Sequence, residues 1–94
     1  MLAIGIITID FQIPGSLCLK DKRMVLRSIK DRLRNNFNIS ISEVANQDKW
    51  QLSTLGIASV SNNKKHVDST LNKIRDFFEN ERRIIVTDYQ MEML

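Results

Sequence analysis

The sequence is poor in the residues that usually build disulfides, metal sites and catalytic centres. It contains one cysteine and one histidine among 94 residues. A single cysteine excludes an intramolecular disulfide, and no cluster of Cys and His residues predicts a zinc site. Both facts are typical of the reducing cytosol, so we expect a cytoplasmic protein that binds no metal and no cofactor.

Long apolar runs, linkers and repeats are also missing. No run approaches the ~18 apolar residues that a membrane-spanning helix needs. The apolar start, residues 1–7, has no basic n-region and alternates into Thr8, Asp10 and Gln12, so it predicts a strand and not a signal peptide. A chain of 94 residues without linkers predicts a single domain over 1–94, whose stability margin is thin unless self-association adds to it.

Apolar patterns of period 2 and of helical period alternate along the chain and predict the fold. The predicted elements are strand 3–13, helix 19–36, a strand from 39, a hairpin connection at 47–50, strand 52–60, a helix after the N-cap candidates 61–63, and strand 83–91. This β-α-β-β-α-β order predicts an α+β ferredoxin-like plait, in which a four-stranded antiparallel sheet carries two helices on one face.

The predicted core lies between the two helices and the sheet. The helices are expected to bury Val25, Ile29, Leu33, Val67, Leu71, Ile74 and Phe78. The strands are expected to bury Ile7, Ile9, Phe11, Ile39, Ile41, Leu55 and Ile57.

The same topology separates the few residues with catalytic potential. The loop 14–19 and the hairpin 46–51 are expected at one end of the sheet, and the second helix begins at the other end. Cys18 and His66 therefore lie apart, and a catalytic Cys–His couple is not expected. No clear spacing pairs two carboxylates, and Asp10 is expected to be a solvated one. We expect a protein that is not an enzyme.

Positive charge is concentrated in the first predicted helix. Seven of the fourteen basic residues lie between positions 20 and 34 with two acids, while the rest of the chain carries seven basic and nine acidic residues. At 100° per residue, one quarter of the helix circumference carries Lys20, Arg23, Arg27, Lys30 and Arg34. Asp21 and Asp31 are expected elsewhere around the helix. Such a line of cations favours contacts to phosphates, and the alternative is a solvated surface.

Lys22 is out of phase with these cations and lies in the apolar stripe of the same helix. Its ammonium is expected either to snorkel to the end of the helix or to point across the mouth of the preceding loop. That loop, with Pro14, Gly15 and Ser16, leads into a helix N-terminus, whose free N–H groups attract anions. It lacks the second glycine and the Gly-Lys-Ser/Thr ending of a P-loop, so nucleotide hydrolysis is disfavoured.

The predicted hairpin carries the one tryptophan of the chain. Trp50 follows Lys49 and stands between the amides of Gln47 and Gln51. An exposed indole would stack on a nucleic-acid base or anchor a protein partner, whereas a buried one would cap the end of the core. Lys49 and Trp50 therefore join the helix cations as candidate nucleic-acid- or anion-binding residues.

The sheet face opposite the helices differs from that of typical RNA-recognition domains. Those domains stack bases on aromatic residues of the central strands, and strand 52–60 has no aromatic residue. Instead, Leu2, Ile4 and Ile6 place apolar surface on the outer face of the first strand. An exposed apolar patch usually marks an interface, and a second copy of the chain is the simplest partner.

Three segments together resemble one protein family. They are Ile13-Pro14-Gly15-Ser16 with Leu19-Lys20-Asp21-Lys22-Arg23; Phe37-Asn38-Ile39-Ser40 with Glu43-Val44, Gln47-Asp48 and Trp50-Gln51; and Leu55-Gly56-Ile57-Ala58 with Val60-Ser61-Asn62. Asp88 and Tyr89 also fit. The chain is similar, over nearly its whole length, to the YlxP-like family of small bacterial proteins, a domain of unknown function.

This resemblance implies a ferredoxin-like fold and a cytoplasmic bacterial protein. Genes of the family commonly neighbour translation-factor and ribosome-maturation genes, which implies a role near RNA or the ribosome. The family carries no established catalytic residues. It tends to have serine where this chain has Cys18, so a capping box with Asp21 is expected to be lost and the first helix to begin less firmly.

Three functional hypotheses follow. The first is a non-enzymatic module that contacts structured RNA or a ribosomal surface through the first helix, the 14–19 loop and the Trp50 hairpin. The second is a homodimeric interaction module with a merely solvated basic helix. The third is a protein that binds a small anionic ligand between the loop and the hairpin. Salt-dependent RNA binding would favour the first hypothesis. A stable dimer without RNA binding would favour the second, and a copurified ligand at the start of the first helix would favour the third.

Overall fold

The computed structural model describes every residue from Met1 to Leu94. Its elements are β1 (Ala3–Gln12), α1 (Leu19–Asn36), β2 (Ile39–Ala45), β3 (Leu52–Ser61), α2 (Lys64–Glu79) and β4 (Ile85–Met93). The predicted order is confirmed, and the boundaries lie close to the predicted ones. Neither helix combines the length and the apolar character needed to pass through a lipid bilayer.

The four strands form one antiparallel sheet in the order β2-β3-β1-β4. The central strand β1 pairs with β3, from Ala3 opposite Ser61 to Gln12 opposite Leu52. On its other side β1 pairs with β4. Both helices contribute to one core on a single face of the sheet, and buried residues alternate with more exposed ones along β1. The predicted α+β ferredoxin-like plait is confirmed.

The hydrophobic core contains 16 buried residues, and 12 of the 14 predicted core residues are among them. The exceptions are Val25 and Ile39, which are only partly buried against the core. Ile39 begins the edge strand β2, so one side of it has no neighbouring strand. The rings of Phe11 and Phe78, with centroids 5.8 Å apart, fasten α2 to the middle of the sheet.

A carboxylate network ties α1 to the segment between α2 and β4. The Glu81 carboxylate accepts from Nε and Nη2 of Arg83, each at 2.9 Å, and from Nη1 of Arg32 at 2.8 Å. Arg83 Nη2 also donates to Ser28 Oγ on α1 at 3.0 Å. Hydrogen bonds from Arg83 hold the pKa of Glu81 at about 2, below its ordinary 4.5. The network keeps Arg83 in a turn, so β4 begins at Ile85 and not at position 83.

Candidate functional site

One end of the sheet gathers the loop after β1, the start of α1 and the β2–β3 hairpin (46–51), as the topology predicts. Ile13 N donates to Gln51 O at 2.8 Å. The side-chain Nε2 of Gln51 donates to Ser16 O at 2.9 Å. These bonds fasten the loop to the hairpin, so the two segments form one surface.

Lys22 connects α1 to the hairpin from inside the protein. Its side chain is 2% exposed. Its Nζ lies 2.7 Å from Asn46 O, 2.6 Å from Lys49 O and 2.8 Å from Glu43 Oε2. The buried ammonium does not snorkel to solvent; it is directed from α1 to the hairpin and to Glu43 of β2. Three acceptors use the three N–H groups of the ammonium, so an anion at this surface depends on other cations.

The hairpin is shaped by an irregularity in β2. Asn46 has a φ of 64°, a left-handed conformation that asparagine tolerates better than most residues. The β2–β3 register shifts between Glu43 and Ala45. Asn46 Nδ2 donates to Thr54 Oγ1 at 3.0 Å, and Thr54 Oγ1 donates to Asp10 Oδ1 at 2.6 Å. Asp10, expected as a solvated carboxylate, thus helps to hold the hairpin.

The cations of α1 border a groove against the edge strand β2, which we call the basic groove. It encloses about 450 Å³ and is lined by Arg23, Leu26, Arg27, Lys30, Asp31, Arg34 and Glu43. Four of the five predicted cations face it, and Lys20 lies outside. None of these four forms an ion pair within the protein. Arg34 donates a hydrogen bond of 3.4 Å from Nη2 to Ile41 O on β2.

Two carboxylates also reach the basic groove. Asp31 lines it, although we expected this residue elsewhere around the helix. At 100° per residue a position four after Arg27 is only about 40° away, so it shares the same side of the helix. Glu43 lines the groove as well, but its charge is matched by Lys22. The groove therefore presents four cations against one unmatched carboxylate.

The start of α1 does not open on the basic groove. Cys18 makes no side-chain cap bond, as the departure from serine predicts. Asp21 Oδ2 accepts from Leu17 N at 3.0 Å. The loop residues Pro14, Gly15 and Ser16 line a separate hollow of about 410 Å³ together with Asp21 and Arg82. An anion at this helix start would face the Asp21 carboxylate as well as the guanidinium groups of Arg82 and Arg83.

Trp50 is 54% exposed, so it does not cap the core. It borders a second cavity, which we call the hairpin hollow. The hollow encloses about 690 Å³ and is lined by Gln12, Pro14, Asp48, Lys49, Trp50, Gln51 and Leu52. It shares no lining residue with the basic groove. The structure thus divides the predicted site between the cations of α1 and the hairpin pair Lys49 and Trp50.

The predicted apolar surface of the outer sheet face extends beyond β1. Leu2 is 68% exposed, and Ile4 and Ile6 are partly exposed. Ile4 lies opposite Val60 of β3, and Leu94 N donates to Ile4 O at 2.9 Å. These five residues form what we call the outer patch. It lies at the far end of the sheet from the hairpin hollow. Ile4 of the patch and Gln12 of the hollow are eight positions apart on β1, which is about 26 Å along an extended strand.

Potential metal ligands are scattered over the molecule. Cys18 and His66 lie at the starts of α1 and α2, which the topology places at opposite ends of the sheet. No group of three or more His, Cys, Asp or Glu side chains is positioned to hold a metal ion. The groove and the hollow offer cations, amides and an indole, which bind through charge, hydrogen bonding and stacking.

Sequence reasoning missed several residues of these surfaces. Gln12 and Leu52 face each other in the β1–β3 register and line the hairpin hollow. Val60 and Leu94 join the outer patch by strand pairing. The signal was available in part, because the length of the hairpin connection sets the register of the strands that follow.

Comparison with known proteins agrees with the resemblance seen in the sequence. Residues 4–91 match the family described as "Protein of unknown function (DUF503)". The chain is also 40% identical over 75 residues to "Uncharacterized protein YlxP" of Bacillus subtilis (strain 168), across 76% of this chain and 82% of that protein. Since the matched residues run from β1 into β4, the chain belongs to this YlxP-like DUF503 family of proteins of unknown function.

Proposed function

We propose that this protein is a non-enzymatic binding module of the cytoplasm, which contacts structured RNA, including the RNA of a ribosomal or other translation-related surface. The supporting observation is the set of four cations that line the basic groove without a carboxylate partner. They are Arg23, Arg27, Lys30 and Arg34. Such side chains make charge-assisted, sometimes bidentate, hydrogen bonds to phosphate oxygens.

The shape of the basic groove favours a nucleic-acid backbone as its occupant. From Arg23 to Arg34 the cations extend over about 16 Å of helix axis at ~1.5 Å per residue, a length that meets several consecutive phosphates. The outer face of β1 and β3 has no aromatic residue on which bases could stack. Double-helical RNA is recognised mainly by its backbone and shape, which agrees with a phosphate-binding groove.

The test reverses two charges in the middle of the groove. We expect Arg27→Glu combined with Lys30→Glu to weaken RNA binding by about tenfold or more. Each phosphate that the protein no longer neutralises keeps its counterions, so the favourable entropy of their release is lost. Binding is measured by fluorescence anisotropy of a labelled RNA hairpin, and by co-sedimentation with ribosomes, at several salt concentrations. Binding by the parent protein should fall steeply as salt rises.

The matched control makes the same charge change at the other end of the molecule. Lys64→Glu with Lys65→Glu alters two exposed residues at the start of α2 and should leave RNA binding nearly intact. Both double variants should fold, because surface changes cost at most roughly 0.5 kcal/mol per site. Equal binding by the groove variant and the parent, or equal losses in both variants, would contradict a specific groove.

Assembly of two copies is a second candidate function, and the outer patch supports it. Five apolar residues from β1, β3 and the chain end lie together there, and isologous contact between two such patches removes them from water. This patch lies on the sheet face opposite the helices, and the hairpin hollow lies at the other end of the sheet. A dimer formed through it leaves both surfaces free.

We expect Leu2→Glu with Val60→Glu to convert the dimer to a monomer, because the two new carboxylates from each copy would be brought together without partners. Size-exclusion chromatography with light scattering at micromolar concentration measures the mass. The control is Met24→Glu, a similarly exposed apolar residue on α1 and thus away from the outer sheet face, which should remain dimeric. A monomeric mass for the parent protein would remove this candidate.

A further inference from the structure

We propose that the hairpin hollow binds an unpaired nucleobase, stacked on the indole of Trp50 and hydrogen-bonded at its edge by neighbouring polar side chains. The inference rests on the proposed RNA binding and names the part of an RNA that this second surface takes, a nucleotide outside a double helix. A free mononucleotide carries the same ring, and the test below distinguishes the two sources.

The hollow supplies a stacking platform. The indole of Trp50 is about half buried and half accessible, at 54% exposure. The pyrrolidine ring of Pro14 and the side chain of Leu52 also line the cavity. An aromatic ring with apolar neighbours binds the flat face of any base with little dependence on sequence.

The polar groups of the hollow suit a base better than a phosphate. The amide of Gln12, the carboxylate of Asp48 and the ammonium of Lys49 line the cavity and have no hydrogen bond or ion pair within the protein. One carboxylate and one ammonium balance each other, so the hollow has no net charge, in contrast to the basic groove. An amide that can donate and accept, beside a carboxylate that accepts from an exocyclic amino group, matches the edge of a purine.

The walls of the hollow are fixed before any ligand arrives. Lys22 Nζ holds the backbone carbonyl of Lys49 at 2.6 Å, and Gln51 Nε2 holds Ser16 O at 2.9 Å. Both neighbours of Trp50 in the chain are thus tied to α1 or to the loop after β1. A preorganised hairpin loses little conformational freedom on binding, which favours affinity.

One buried atom connects a residue of the hollow to a residue of the basic groove. Lys22 Nζ contacts Glu43 Oε2 at 2.8 Å and Lys49 O at 2.6 Å. Glu43 lines the groove, and Lys49 lines the hollow. The two cavities are therefore linked inside the protein through a single tie, although they share no lining residue.

The experiment uses Trp50 as its own reporter, because no other tryptophan contributes to the fluorescence. The full-length protein is titrated with AMP, with CMP and with a hexamer of adenylate, and emission is followed. We expect saturable quenching that is stronger for AMP than for CMP, since a purine offers the larger stacking surface. If the hexamer binds more tightly than AMP, the site is assigned to RNA. If the hexamer and AMP bind with equal affinity per nucleotide, the site is assigned to a free nucleotide.

Two variants test the assignment. Gln12→Ala should weaken quenching by AMP about fivefold or more through loss of an edge contact, with unchanged emission in the absence of ligand. Its control, Gln90→Ala, changes an exposed glutamine of β4 outside the hollow and should behave as the parent. Trp50→Ala should weaken binding of an RNA hairpin with an unpaired loop about tenfold, without changing the salt dependence, and should not affect a blunt duplex.

The results separate this inference from the proposed function. RNA binding through the basic groove without any quenching of Trp50 overturns the inference and leaves the proposed function standing. Quenching by AMP that persists in the Arg27→Glu, Lys30→Glu variant supports the hollow independently of the groove. Quenching by a proline-rich peptide and not by nucleotides overturns the inference in favour of a protein ligand.

Discussion

Replacing Lys22 with methionine is expected to lower the free energy of unfolding by about 3–5 kcal/mol, since one partner of a buried ion pair is removed. Methionine retains an apolar stem, so the change isolates the ammonium. Its loss leaves the Glu43 carboxylate, 16% exposed, with only the Ser53 hydroxyl at 2.7 Å. It also leaves the carbonyls of Asn46 and Lys49 without their donor.

Urea unfolding of the parent and the variant measures this difference. Lys20→Met, an exposed substitution on the same helix, serves as the control and should change stability by at most about 0.5 kcal/mol. Adding Glu43→Gln to the Lys22→Met variant should restore part of the loss, with a coupling of roughly 0.5–3 kcal/mol. A loss below about 1 kcal/mol in the single variant would mean that the tie contributes little.

Glu81→Gln is expected to destabilise the protein by about 2–3 kcal/mol at neutral pH and to have little effect near pH 2. The pKa of Glu81 is lowered from 4.5 to about 2 by Arg83 in the folded protein. A lowered folded pKa means that the carboxylate stabilises the fold above about pH 4.5 and that this contribution is lost as the pH falls towards 2. The magnitude follows from ~1.4 kcal/mol per pKa unit, and it is reduced by solvent screening because Arg32 and Arg83 are about half exposed.

Urea unfolding at pH 7, 4 and 2.5 tests the sign of this linkage. The gap between the parent and Glu81→Gln should narrow steadily with acidification. Glu79→Gln, an exposed neighbour without an ion pair, should show no comparable gap at any pH. A gap that stays constant from pH 7 to pH 2.5 would show that glutamine disturbs packing and not charge.

The fold could be predicted from the sequence because its signals are local. Alternation along β1 and the helical spacing of Ile29 and Leu33 each report which side of an element is covered. Asn63 marks the start of α2 through its cap bond to His66 N at 3.2 Å. The burial of Ile39 was overestimated, because apolar character alone does not show that its strand lies at the edge of the sheet.

The candidate site could be predicted only in part, because its remaining features depend on distant pairings. The helical spacing of Arg23 and Arg27 was sufficient to propose a basic line. The backbone acceptors of Lys22 lie 24 and 27 residues away in sequence. Its role in connecting α1 to the hairpin could therefore be recognised only once the position of the hairpin was known. Gln12 enters the hairpin hollow through strand register, and no local pattern marks it.

The pairing of β1 with β4 also has a consequence for biosynthesis. β1 is the first strand to be translated, yet one of its two hydrogen-bonding edges is filled by the last strand of the fold. Until residues 85–93 have been made, the nascent sheet has three strands, and β1 is at its border. Completion of the plait is therefore a late event in synthesis, and partial chains present an open β edge that chaperones or other nascent strands can bind.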